Sequence, residues 1–208
     1  MGHAQAGTLA GKQQMPFPYY ENLSEASKRI YRKSDAIESI PVEDPGSIHP
    51  VIMKLKRALE DNGRRDVAKH ASEICRVVCE GLGAETLVVR IRSRRPSRSA
   101  EELQGLYERT EGEACVLTVW MKTAARGQVV AFKSFIRTVL HELCHHLDYT
   151  YFKLADSLHT EGFFKRESSL YRQIVPIELQ RREPRQKKSP RKKVSKQVSE
   201  EPEQFRLL

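Results

Sequence analysis

The chain has 208 residues, 39% of them hydrophobic and 30% charged, a net charge of +9 and a mean hydropathy of −0.58. That is room for one domain with a real core plus tails. No apolar run approaches the ~20 residues of a membrane-spanning helix, so no membrane partner is expected.

The first fourteen residues, MGHAQAGTLAGKQQ, contain no apolar stretch of the kind a secretory signal needs, and a cytoplasmic location is expected. Residues 1–20 lack periodicity and are read as a mobile N-terminal arm. A helical pattern follows over 21–38, with Ser24 as N-cap and Ile30, Tyr31 and Ile37 turned inward. Pro41, Pro45, Gly46 and Pro50 make 41–50 a loop. Pro50 suits the first turn of a second helix with Val51, Ile52, Leu55 and Leu59 on one face, ended by Asn62-Gly63. A third helix over 66–81 repeats Val67, Ala71, Ile74, Val77 and Val78 at helical spacing.

The period then changes to that of strands. Residues 86–92 (TLVVRIR), 103–109 (LQGLYER) and 114–121 (ACVLTVWM) read as three strands, the last two joined by the Glu111-Gly112-Glu113 turn. Five arginines crowd residues 90–98. Phe132, Phe135, Ile136, Val139, Leu140, Leu143 and Leu147 restore the helical period in the most apolar helix of the chain. SLHTEG (157–162) interrupts it, and a last helix runs over 163–174. The expected architecture is α+β: a single domain over 21–176 with N-terminal helices, a small, mainly antiparallel three-stranded sheet, a central helix and a C-terminal helix. Residues 177–208 read as a basic, disordered tail; 181–196 hold nine Lys/Arg against one Glu, so this segment carries +8 of the net charge. Such a run suits nonspecific contact with nucleic-acid phosphates. The four cysteines, Cys75, Cys79, Cys115 and Cys144, form no CxxC pair and read as free thiols.

His141-Glu142-Leu143-Cys144-His145 carries the chemistry. Histidines four apart share one helical face, within reach of one Zn²⁺, and the glutamate between them can act as general base toward water. A catalytic zinc usually takes a third protein ligand. Four of the seven histidines fall between 141 and 159. His146 lies around the helix and points elsewhere, as a surface or outlying histidine. His159, beyond the helix end, is the favoured third ligand, with Glu161 and Glu167 as carboxylate rivals. Asp148, one turn past His145, can hydrogen-bond a ligand imidazole from behind, or simply solvate the helix end.

The sequence His141-Glu-x-x-His145, a short link, and His159-x-x-x-Phe163 ahead of a helix resembles the SprT-like zinc metallopeptidases, the group of the Spartan and Wss-type DNA–protein crosslink proteases. The resemblance covers roughly residues 84–174. It implies a zincin-like fold, His141, His145 and His159 as zinc ligands, and Glu142 as general base in hydrolysis of peptide bonds by a zinc-activated water. It also implies that an edge strand receives the substrate as an added β-strand, with 114–121 as that strand and Trp120 either lining the cleft or serving the core. Thr160 stands where the family has glycine, and the family's C-terminal four-cysteine zinc ribbon is missing. An extra donor to the oxyanion is wanted, and Tyr149, Tyr171, Arg166 and Arg172 are available. The function expected is that of a zinc endopeptidase acting on protein or peptide. The alternative is a zinc-containing, nucleic-acid-associated protein, either a DNA-linked protease or an inactive relative.

Overall fold

Helix signals and helices coincide closely. The computed structural model describes residues 17–94 and 104–181. Helix α1 (Glu25–Asp35) is capped by Ser24, whose hydroxyl accepts from the Ser27 N–H. Helix α2 (His49–Glu60) buries Ile52, Leu55, Ala58 and Leu59, and Asn62 just beyond it takes a positive φ of 54°. Helix α3 (Arg64–Gly81) packs its Val67, Ala71, Ile74, Cys75 and Val78 stripe against α2 and the sheet. All four cysteines are free and buried.

Strands β1 (Val88–Arg94), β2 (Gly105–Glu108) and β3 (Val116–Lys122) form one sheet in the order β1-β3-β2. β2 and β3 pair antiparallel, as the 111–113 turn predicts, with Gly112 at φ 77°. β1, however, pairs with β3 in parallel, Ile91 opposite Val119. The expected mainly antiparallel sheet is therefore mixed. The expected edge strand over 114–121 is instead the central one, and β2 is the edge next to the central helix. Burial explains the order: β3 has five consecutive buried residues, Leu117 to Met121, while β2 has four residues in all and opens on a glycine. A strand covered on both faces belongs in the middle, and a short one at the edge. Trp120 is buried within β3 and does not line the cleft described below.

Helix α4 (Phe132–Thr150) lies against β2 and β3 and sends Phe135, Ile136, Val139, Leu140, Leu143 and Leu147 into the core at 0–1% exposure. Helix α5 (Glu161–Ile174) packs along α4 and α1. Its Gly162 meets α1 so closely that an added Cβ would collide with the Asp35 carbonyl, and its N–H donates to Asp35 Oδ1 at 2.8 Å. A last short helix α6 (Ile177–Gln180) is tied back by Gln180, which donates to the Val175 carbonyl at 2.6 Å. Residues 18–20, read as part of the N-terminal arm, belong to a 3-10 turn, Pro18–Asn22. Residues 1–16 of that arm, Arg95 and Arg98, and the basic segment after Arg181 lie outside the described residues. Among the described residues no helix is long and apolar enough to cross a membrane.

Candidate metal centre

The polar stripe of α4 makes one wall of a cleft of about 730 Å³. Arg137, Thr138, His141, Glu142, His145 and Tyr149 recur along that wall at helical spacing. Gln104 to Tyr107 of the edge strand form the facing wall, and Ser157, His159 and Glu167 close one end.

His159 reaches the cleft because the chain turns back after α4. Lys153 adopts a φ of 52° and the Leu154 N–H donates to the Asp148 carbonyl at 2.8 Å. α5 then starts at Thr160, whose buried hydroxyl accepts from the Phe163 N–H at 3.0 Å. A glycine there would leave the helix without that cap, which gives the departure at Thr160 a structural role. Tyr19 donates its hydroxyl to the His159 carbonyl at 2.7 Å, fastening the returning loop from the N-terminal side.

Three imidazoles converge. His159 Nε2 lies 3.0 Å from His141 Nε2 and 3.1 Å from His145 Nε2. The three can bind one metal ion. Tetrahedral ligation at Zn–N lengths of 2.0–2.1 Å would hold such nitrogens about 3.3 Å apart, so the histidines stand close to the spacing of a bound set. The ring of Phe163, fully buried, forms an apolar floor beneath them, 5.0, 4.7 and 5.1 Å from the His141, His145 and His159 ring centres.

The partners behind the rings assign the tautomers. His141 Nδ1 faces Glu167 Oε2 at 3.2 Å, so it carries the proton and leaves Nε2 with a lone pair. His145 Nδ1 lies 2.7 Å from the Ser157 hydroxyl, which donates onward to Asp148 Oδ2 at 2.8 Å. With its hydrogen committed to Asp148, Ser157 accepts from His145 Nδ1–H, and His145 Nε2 is bare as well. Two lone pairs thus aim at one point, an arrangement that a cation satisfies and that protons satisfy poorly. Burial and the neighbouring imidazoles push the His145 pKa down to about 3, and that of His159 below its ordinary value. Both are therefore neutral and ready to ligate at neutral pH.

Asp148 does not solvate a helix end. It is fully buried and bonded to Arg166 at 2.9 and 3.1 Å. Burial raises its pKa, opposed by Arg166 and Ser157. Arg166, also at 0% exposure, donates to the Ser34 and Ile37 carbonyls of the α1 end at 2.6 and 2.7 Å. His146 does point away from the cleft, but it is a core residue rather than a surface one. Its Nε2–H donates to the Glu85 carbonyl at 2.6 Å, and Nδ1 accepts from the Tyr107 hydroxyl at 3.1 Å.

Glu142 is 7% exposed, beside the triad and against the edge strand. Burial raises its pKa to about 7, opposed by His141 and by a hydrogen bond from the Tyr107 backbone. The strand approaches this closely because residue 105 is glycine: a Cβ there would stand 2.5 Å from Glu142 Oε1 and 2.6 Å from its Cγ.

Of the rival ligands, Glu167 sits on the Nδ1 side of His141, away from the converging nitrogens, and Glu161 pairs with Lys165 at 3.7 Å. Of the oxyanion candidates, Tyr149 alone lines the cleft, its hydroxyl donating to Asp156 Oδ1 at 3.2 Å. Arg166 and Tyr171 are buried, and Arg172 is exposed away from the cleft. Sequence reasoning missed Arg137 and Thr138, which stand one turn before His141 and Glu142 and would have emerged from extending the helical stripe. It also missed Gly105, Tyr107 and Ser157, for which sequence spacing gave no signal. No family model, curated protein or solved structure matches this chain.

Proposed function

We propose that the protein is a zinc-dependent metallopeptidase, with His141, His145 and His159 as zinc ligands and Glu142 as general base. The observation that carries this reading is the convergence of the three Nε2 atoms, two with assigned lone pairs, beside a buried carboxylate in an open cleft. A zinc ion held there supplies Lewis acidity, which brings the pKa of water toward about 7 and polarises a carbonyl.

The chain's own residues do the rest. Glu142, buried beside the three imidazoles and open to the cleft, is placed to take a proton from the attacking water and pass it to the leaving amine. Glu167 and Ser157 hold two imidazoles in the ligating tautomer. The outward side of β2 offers main-chain groups to an extended peptide beside Glu142. The resemblance to SprT-like peptidases supports the same assignment; the zincin identity of the fold is part of the proposal.

The test is cleavage of an unstructured protein by the wild type and Glu142→Gln, each with zinc content measured. Loss of a positioned base lowers turnover about 10²–10⁴-fold with zinc stoichiometry unchanged. Zinc-dependent cleavage that survives Glu142→Gln at full rate refutes the mechanism. His159→Ala should abolish stoichiometric zinc.

A second reading, nucleic-acid association, rests on the edge strand β1. Arg90, Arg92 and Arg94 are exposed there, in register with Thr118, Trp120 and Lys122. Single-stranded DNA binding that weakens in Arg90→Ala/Arg92→Ala and falls steeply with salt supports it; binding indifferent to both removes this strand from the reading.

A further inference from the structure

Arg137 has no task in the chemistry above, yet it occupies the cleft wall one turn before His141. Among the described residues that line the cleft it is the sole lysine or arginine. Its guanidinium lies over the Tyr171 ring, 4.3 Å from the centroid, and NH1 donates to Glu167 Oε1 at 2.9 Å. The stack and the single bond fix the plane of the group. Among the described residues Glu167 is its only hydrogen-bond acceptor, which leaves the remaining N–H donors of the fork for a ligand.

Arg166 is the instructive contrast. It is fully buried, and its NH1 and NH2 are committed to Asp148, Ser34 and Ile37. That is an arginine used to hold the fold. Arg137 keeps 38% of its side chain exposed, with Gln104 and Ser134 as polar neighbours in the cleft lining. Glu167 does not saturate it either, because its second oxygen is turned to His141.

We infer that Arg137 is a specificity residue that binds a carboxylate of the substrate close to the scissile bond, so that the cleft selects acidic peptides. This rests on the peptidase reading. The fork geometry of guanidinium suits a carboxylate better than a neutral amide. The carboxylate can belong to an Asp or Glu side chain or to a chain terminus.

The test uses peptides identical except for Glu, Gln or Lys at positions flanking the cleaved bond, each with a free or an amidated C-terminus. Cleavage is compared as kcat/KM ratios in wild type, Arg137→Gln and Arg137→Glu. Dissociation constants for the same peptides are measured on Glu142→Gln and Glu142→Gln/Arg137→Gln, with and without zinc. Zinc content and thermal midpoint are recorded for every variant. One charge-assisted hydrogen bond predicts a preference for the acidic peptide of about tenfold or more. The preference collapses toward unity in Arg137→Gln and shifts to lysine-bearing peptides in Arg137→Glu. A preference for the free over the amidated C-terminus assigns the group to the chain terminus; a preference for Glu over Gln assigns it to a side chain. Equal binding of Glu and Gln peptides together with indifference to amidation, or a preference that survives Arg137→Gln, overturns the inference. Failure of the peptidase reading shows separately, as no cleavage of any peptide by the wild type, and the binding constants then still decide the role of Arg137.

Discussion

Gly105→Ala tests the proposed division of labour in the cleft, because it perturbs Glu142 without touching a histidine. The new methyl would lie 2.5 Å from Glu142 Oε1, 2.6 Å from Glu142 Cγ and 2.8 Å from Thr138 Cγ2. Rotating the carboxylate relieves only the first contact, so either the Glu142 side chain or the edge strand must retreat. Overpacking of this kind costs about 2 kcal/mol, which for a domain of this size lowers the melting midpoint by about 4–8 °C. The catalytic loss is larger, since a displacement of about 1 Å at a reacting group can cost ~10²-fold. The assay is kcat/KM with zinc content and melting temperature on the same preparations. Activity should fall about 10²-fold while zinc remains stoichiometric. In a Glu142→Ala background the two closest of these contacts are gone, so the stability cost of Gly105→Ala should shrink by more than half. Full activity with an unmoved midpoint would show that the strand and Glu142 are not in the contact described, and the reasoning would fail.

Removing the hydroxyl in Ser157→Ala strips His145 Nδ1 of its acceptor, and zinc affinity should drop about 10–100-fold; competition with a chromogenic chelator measures it, and an unchanged constant contradicts the tautomer assignment. Arg166→Met leaves Asp148 buried without its cation and should cost about 3–5 kcal/mol, read as a fall in the urea midpoint; a loss below ~1 kcal/mol would fit an exposed pair instead. Stability of the metal-free protein should also depend on pH. Burial holds His145 at about 3 and lowers His146 and His159. These folded values lie below the ordinary value of about 6.5, so the unfolded chain binds more protons in that interval. The contribution of these histidines to stability is then fully present above about pH 6.5 and declines as pH falls toward 3. Glu142, raised by burial to about 7, works in the opposite direction as pH falls from 7 toward its ordinary 4.5, so urea midpoints in chelator at pH 7.5 and 5.0 are compared in Glu142→Gln and Glu142→Gln/His145→Gln; a loss at pH 5.0 that is no smaller without His145 contradicts the sign.

What could be read from the sequence was set by distance along the chain. The alternation of Phe135, Val139 and Leu143 with Arg137, His141 and His145 is local, so α4 and two of the three converging histidines follow from helical periodicity alone. His159 was within reach because only one turn separates it from α4 and α5. Strand order was not, because pairing depends on partners that are remote in sequence. The hairpin of β2 and β3 has a short turn to announce it, whereas β1 reaches β3 in parallel from beyond β2, and alternation within β1 is equally compatible with either neighbour.

The buried pair of Asp148 and Arg166 shows the same limit in its sharpest form. The sequence left Asp148 open between a place behind an imidazole and the helix end, and offered Arg166 as a donor to the oxyanion. Only packing of α5 on α1 and α4 withdraws that arginine from solvent. Two apolar residues of similar volume would commonly be as stable as such a pair, so stability alone does not account for it. Its geometry gives a better reason: one guanidinium grips the end of α1 through Ser34 and Ile37 and, through Asp148 and Ser157, sets the proton on His145. An apolar substitute would preserve the packing and lose the proton assignment. The variant Arg166→Met/Asp148→Leu should therefore lose less stability than Arg166→Met alone while sharing the zinc-affinity defect of Ser157→Ala.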